Sequence, residues 1–135
     1  MKAIVKNVGN KKIIGINVEE YKIQLEQIAE MNGCKFELAE NNCGDFTLGE
    51  LSGEDEKTTK ESKTVIEDSI LIFSGLGGRN LDRLLNMLRM NNVLVSLKAV
   101  VTQYNRNWTV SKLRDEIKKE HELMNGLNGG GQNEQ

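Results

Sequence analysis

The sequence predicts an α/β protein, with two β-α-β halves that build one mixed or largely parallel sheet of about four to five strands, plus a C-terminal helix. Three observations predict it. Ile70-Leu71-Ile72-Phe73 is a short β-branched and aromatic run that stops at Ser74-Gly75-Leu76-Gly77-Gly78, as a buried strand does on entering a tight turn. Leu81, Leu84, Leu85 and Leu88 then fall on one face at helical spacing, ahead of a second Val- and Leu-rich run from Val93 to Thr102. The same order of strand, helix and strand recurs between Ile13 and Ala39.

Near the start, Ala3-Ile4-Val5 and Ile13-Ile14-Gly15-Ile16 are β-like runs separated by the turn chemistry of Val8-Gly9-Asn10-Lys11, which suits a hairpin or two sequential strands. Asn17 with Glu20 three residues later makes a capping-box-like start to a helix over about 18–31, and Tyr21, Leu25, Ile28 and Met31 supply its stripe. Gly33 stops it, and Cys34 to Ala39 is the next strand. After it, Asn41 to Asp45 and Phe46 to Leu51 answer Gln103 to Asn107 and Trp108 to Leu113, an internal duplication. Residues 52–63 are charged and lack large apolar side chains, so they read as an exposed linker between halves 1–51 and 64–125 of a single domain spanning 1–125.

In the second half, Asn80 is the expected cap of a helix over about 80–91, which Asn91-Asn92 ends through the left-handed conformation that Asn tolerates. A strand, helix and strand in this order favour a right-handed crossover between parallel strands. On the second strand, Leu97, Ala99 and Val101 share an apolar face, while Ser96, Lys98, Val100 and Thr102 share a mixed one. Thr109 opens the last helix, over about 109–124, where Val110, Leu113, Ile117 and Met124 form a stripe with His121 on the same side. Arg114, Asp115, Lys118 and Lys119 read as its solvated face. Residues 126–135, rich in Gly, Asn and Gln, are the expected flexible tail.

With 135 residues and 38% hydrophobic content, the chain can bury one core. A net charge of −2 gives no general attraction to nucleic acid or anionic membranes. No run approaches a membrane span, and Met1-Lys2 is not followed by a signal-peptide core, so a cytoplasmic location is expected. Cys34 and Cys43 stand nine positions apart without a nearby histidine, which fits neither a CxxC redox pair nor a four-ligand zinc site. His121 is the single histidine, so no metal and no cofactor are expected.

Phe73-Ser74-Gly75-Leu76, Leu97-Lys98-Ala99-Val100-Val101-Thr102, Asn105, Trp108 and Glu120-His121 together resemble the domain of unknown function 3783 family, small proteins of bacteria and archaea. The resemblance is strongest over Ile70 to Met124, and Leu48 to Gly53 resembles the glycine-flanked turn of the family's N-terminal half. It implies no catalytic role for any residue, because the family has no established activity. Gly77-Gly78 departs from it, since the family's turn is more acidic and less glycine-rich.

Two places carry candidate chemistry. At the first, Gly75, Gly77, Gly78, Arg79 and Asn80 join a strand to a helix N-terminus, where backbone amides and a guanidinium can hold a phosphate. Neither a Rossmann fingerprint nor a Walker loop is complete there, and a purely structural turn fits the same residues. At the second, Lys98, Thr102, Asn105, Arg106, Trp108 and His121 converge if a strand end, its loop and the next helix meet at the carboxyl edge of the sheet. There Trp108 reads as a hydrophobic staple or a stacking surface, and Lys98 as an ion-pair partner of Glu120 or a ligand-facing cation. An acid-base pair of His121 with Lys98 lacks a nucleophile or second acid. The expected function is a non-enzymatic regulatory or protein-interaction module, with a protein partner or a homodimer through a sheet edge or the mixed strand face. The alternative is a phosphate- or nucleotide-binding protein that uses the turn at 75–80.

Overall fold

A computed structural model describes residues 11–57 and 61–133, with side chains through Met124. Its elements are β1 (Lys12–Ile16), a 3₁₀ turn (Glu19–Tyr21), α1 (Lys22–Met31), β2 (Lys35–Ala39) and α2 (Leu48–Ser52), then β3 (Ile70–Ser74), α3 (Gly78–Met90), β4 (Leu97–Val100) and α4 (Val110–Asn133). The sheet order is β2-β1-β3-β4. The outer pairs are parallel and the central β1–β3 pair is antiparallel. This is the expected α/β architecture, a mixed four-stranded sheet made of two β-α-β halves.

A pseudo-twofold axis runs through the centre of the sheet. Asn17 and Gly75, each just past a strand end, both take the left-handed conformation, at φ 57° and 74°. That equivalence makes Ile14 the counterpart of Ile72, and the two are paired directly across β1 and β3. Away from the axis, Leu48 N–H donates to Trp108 O at 3.0 Å and Val110 N–H to Phe46 O at 2.9 Å. A second reciprocal pair runs from Gly49 N–H to Arg106 O and from Ser111 N–H to Gly44 O. The duplication read from Phe46–Leu51 and Trp108–Leu113 is therefore expressed bond for bond.

Strand alternation divides the core in two. Ile13, Leu71 and Phe73 pack under α1 and α3 with Leu25, Ile28, Leu84 and Leu88. On the other face, Ile14, Ile70 and Ile72 pack under α2 and α4 with Leu48, Val110 and Leu113. Three layers result.

Several local expectations change. Asn17 does not cap a helix; its side-chain amide donates to Ile66 O at 2.7 Å and Asp68 O at 3.0 Å, because the left-handed backbone turns it toward the segment entering β3. Nor does Asn80 cap α3. The reversal is completed at Gly75, so the helix starts sooner, with Gly77 at the cap position and Asn80 inside the first turn. The run from Val93 to Thr102 pairs only over Leu97–Val100, because Val93 and Val95 enter the core beneath α3 before the ladder begins. Leu48–Ser52 is a helix rather than a turn, held by a capping box between Thr47 and Glu50. Inside the stretch expected as an exposed linker, Ser52 and Ser62 are buried. Helix α4 continues past Met124 to Asn133, through most of the stretch expected as a flexible tail; the chain contains no proline to interrupt it. Ala3-Ile4-Val5, read as a hairpin partner or a sequential strand, lies outside the described residues.

Candidate functional site

The two expected sites meet in part. A cleft of about 440 Å³ at the carboxyl end of β3 and β4 is lined by Gly75, Leu76, Gly77, Thr102 and Arg106. Gly75 needs its positive φ. At Gly77 and Gly78, by contrast, an added Cβ would meet nothing within 4 Å. The cap position has no side-chain acceptor, and no acidic residue stands in the first turn of α3. However, Arg106 is already ion-paired with Asp55, and Glu54 forms part of the cleft wall. Arg79 and Asn80 are exposed on the first turn of α3.

Thr102 and Asn105 close the loop after β4 on itself. Asn105 Oδ1 accepts from Thr102 N–H at 2.7 Å, Thr102 Oγ1 accepts from Asn105 N–H at 3.2 Å, and Asn105 Nδ2 donates to Val100 O at 2.9 Å. Both side chains are thereby committed to structure. Trp108 packs against the core under α2 and α4, and the Lys112 ammonium lies 4.8 Å from its ring centroid, where a stacking base would sit.

Lys98 and His121 are kept apart by the sheet. Leu97 and Ala99 face α4, so alternation turns Lys98 toward α3. Its ammonium donates to Val95 O at 2.5 Å and makes no pair with Glu120, which is exposed on the helix covering the opposite face. Partial burial first, and the Arg89 cation second, hold Lys98 below the ordinary lysine range. His121 borders a separate hollow of about 230 Å³ beside Asp68 and Lys118. The drawn acid-base pair therefore does not exist.

Lys98 belongs instead to a groove of about 460 Å³ between α3 and β4, which the sequence reading did not identify. Its floor is Leu85, Leu88 and Val93, and its rim carries Arg89, Leu94 and Lys98. Met90 and Leu94, 80% and 71% exposed, add apolar surface beside it. Among the described residues, neither Arg89 nor Lys98 has a carboxylate within ion-pair distance. The signal was present in Met90 and Leu94, large apolar residues that fall outside the stripe of α3.

A larger cleft, about 780 Å³, lies on the opposite face beside β2, with Ala39, Cys43, Phe46 and Leu51 at its apolar side and Glu37 and Glu61 among its charged residues. It opens because α2 has 5 residues where its counterpart α4 has 24. Burial pushes the Cys43 thiol up to about 11, so the group is held as a neutral thiol. Cys34 and Cys43 are both free. No group of three or more His, Cys, Asp or Glu among the described residues is placed to hold a metal ion, and no described helix is long and apolar enough to cross a membrane.

Residues 69–124 match the family model described as Domain of unknown function (DUF3783). The matched stretch runs from the residue before β3 into α4. No curated protein and no solved structure matches the chain.

Proposed function

We propose that this chain, whose residues 69–124 match the model of the domain of unknown function 3783 family, is a protein-interaction module that receives an acidic, partly apolar segment in the α3–β4 groove. One observation carries the reading. Arg89 and Lys98 stand without carboxylate partners at the rim of an apolar groove, flanked by the exposed Met90 and Leu94. Apolar side chains on the floor would supply affinity, and acidic groups meeting the two cations would supply orientation and a faster encounter. The neighbouring edge of β4 contributes less, because Asn105 already occupies the Val100 carbonyl and leaves the backbone of Lys98 as the main outward contact.

The test uses dye-labelled peptides of alternating valine and glutamate, or valine and lysine, followed by fluorescence anisotropy. The glutamate peptide is expected to bind, with affinity falling as salt rises, and the double change Arg89→Glu with Lys98→Glu to reverse the preference. Equal binding of the two peptides, or none of either, removes the reading. The alternative of a phosphate-bearing ligand at the glycine turn has less support, since Arg106 is neutralised by Asp55 and Glu54 stands in the same cleft. A rise in melting temperature with inorganic phosphate, lost in Arg79→Ala, would favour that alternative.

A further inference from the structure

The outer edge of β2 is a second unsatisfied surface, different in kind from the groove. Lys35 N–H donates to Lys11 O at 3.1 Å. In a parallel ladder this turns the backbone groups of Lys35, Glu37 and Ala39 toward β1, and those of Phe36 and Leu38 away from the sheet. Among the described residues β2 is the outermost strand of the sheet, and no other backbone or side chain takes up its outward groups. Such an edge is a template for another strand. We propose that a second copy of this chain supplies it, with β2 pairing antiparallel to β2 of its partner about a twofold axis at Phe36.

Charge selects both occupant and register. Symmetric registers that keep Phe36 in a hydrogen-bonded position include one centred on Glu37 and one centred on Phe36. In the second, Leu38 faces Cys34, whose carbonyl can accept from Leu38 N–H while its own N–H already donates to Ala29 O at 2.9 Å. Centring on Glu37 sets that carboxylate against its own copy, at the short spacing of a non-hydrogen-bonded pair. Centring on Phe36 instead sets Lys35 opposite Glu37, and by symmetry does so twice. Lys35 and Glu37 are both exposed and share one face of the strand, so the strand is complementary to itself in this register alone. The joined sheet has eight strands, and the two 780 Å³ clefts open on the same face of it on either side of the axis.

Sedimentation equilibrium on the full chain tests this with three variants. The wild type is expected to dimerise in a concentration-dependent manner. Lys35→Glu and Glu37→Lys, each of which opposes like charges twice, are expected to weaken the dimer about tenfold, and the double variant carrying both changes to restore it. Lys35→Glu leaves the Lys12–Glu37 pair within the chain intact, so its effect is not a loss of fold. A wild type that stays monomeric at all concentrations, or single variants that dimerise as it does, overturns the proposal.

Discussion

Gly49 sits where a side chain does not fit. An added Cβ would overlap the Asp55 carboxylate and lie 3.2 Å from the Arg106 carbonyl oxygen. Asp55 is poorly placed to retreat, since it is ion-paired with Arg106 and its N–H donates to Gly49 O at 2.9 Å. Gly49→Ala is therefore expected to cost about 1–3 kcal/mol, read from the urea midpoint. Gly78 is the contrasting case: it lies in the first turn of α3 with open space around it, so Gly78→Ala is expected to add about 0.5–1 kcal/mol by the same measurement. Asp45 brings pH into the fold. Hydrogen bonds from the Thr64 hydroxyl, then from the Lys63 and Thr64 amides, hold its carboxyl below the usual range. A carboxyl lowered in the folded state stabilises it above the unfolded value and loses that contribution as pH falls through the folded one. Urea midpoints of the wild type and Asp45→Asn are thus expected to differ at neutral pH and to converge below about pH 4; a constant difference would assign the effect to packing.

At the scale of elements, α2 shows what a short helix depends on. With 5 residues it has too few turns to be held by propensity, and its start is fixed by Thr47 Oγ1 accepting from Glu50 N–H at 3.1 Å while Glu50 Oε1 accepts from Thr47 N–H at 2.9 Å. Thr47→Ala is expected to lower stability by about 1 kcal/mol, and Thr47→Ser to retain most of it, in thermal or urea unfolding. The Thr-x-x-Glu signal was legible in the sequence, but a helix this short has no apolar stripe to draw attention to it. Longer elements were legible for the opposite reason: the leucines of α3 and the Val110, Leu113, Ile117 stripe of α4 span several turns, so periodicity alone placed them. Asn17 and Asn80 were misread because capping residues also suit turns, and their role depends on where the backbone reverses. The opposite placement of Lys98 and His121 was not legible locally. It follows from which face α4 covers, and that is decided by the packing of the whole sheet.

The repeat was legible residue by residue, but the way its halves join was not, because no local pattern states that β1 and β3 are neighbours. That join makes the halves interdependent. Ile13, Ile14, Leu71, Ile72 and Phe73 are all 0–1% exposed, and each strand completes both cores of the other. The family match nevertheless covers only the second half. Taken alone, residues 61–135 would present the inner edge of β3 as unpaired amides and carbonyls and would lose Leu48 from above Val110. That fragment is expected to show no cooperative unfolding transition as a monomer, and residues 1–57 likewise. Mixed together, they are expected to recover the helical circular-dichroism signal and a single transition, since the antiparallel ladder and the reciprocal bonds between Gly44–Gly49 and Arg106–Ser111 need no covalent link between Lys57 and Glu61. The mixture should be less stable than the intact chain at equal concentration, because association of two pieces forfeits the effective concentration of the linker. A cooperative, monomeric transition in residues 61–135 alone would show that the matched half folds independently and that the pseudo-twofold join is dispensable.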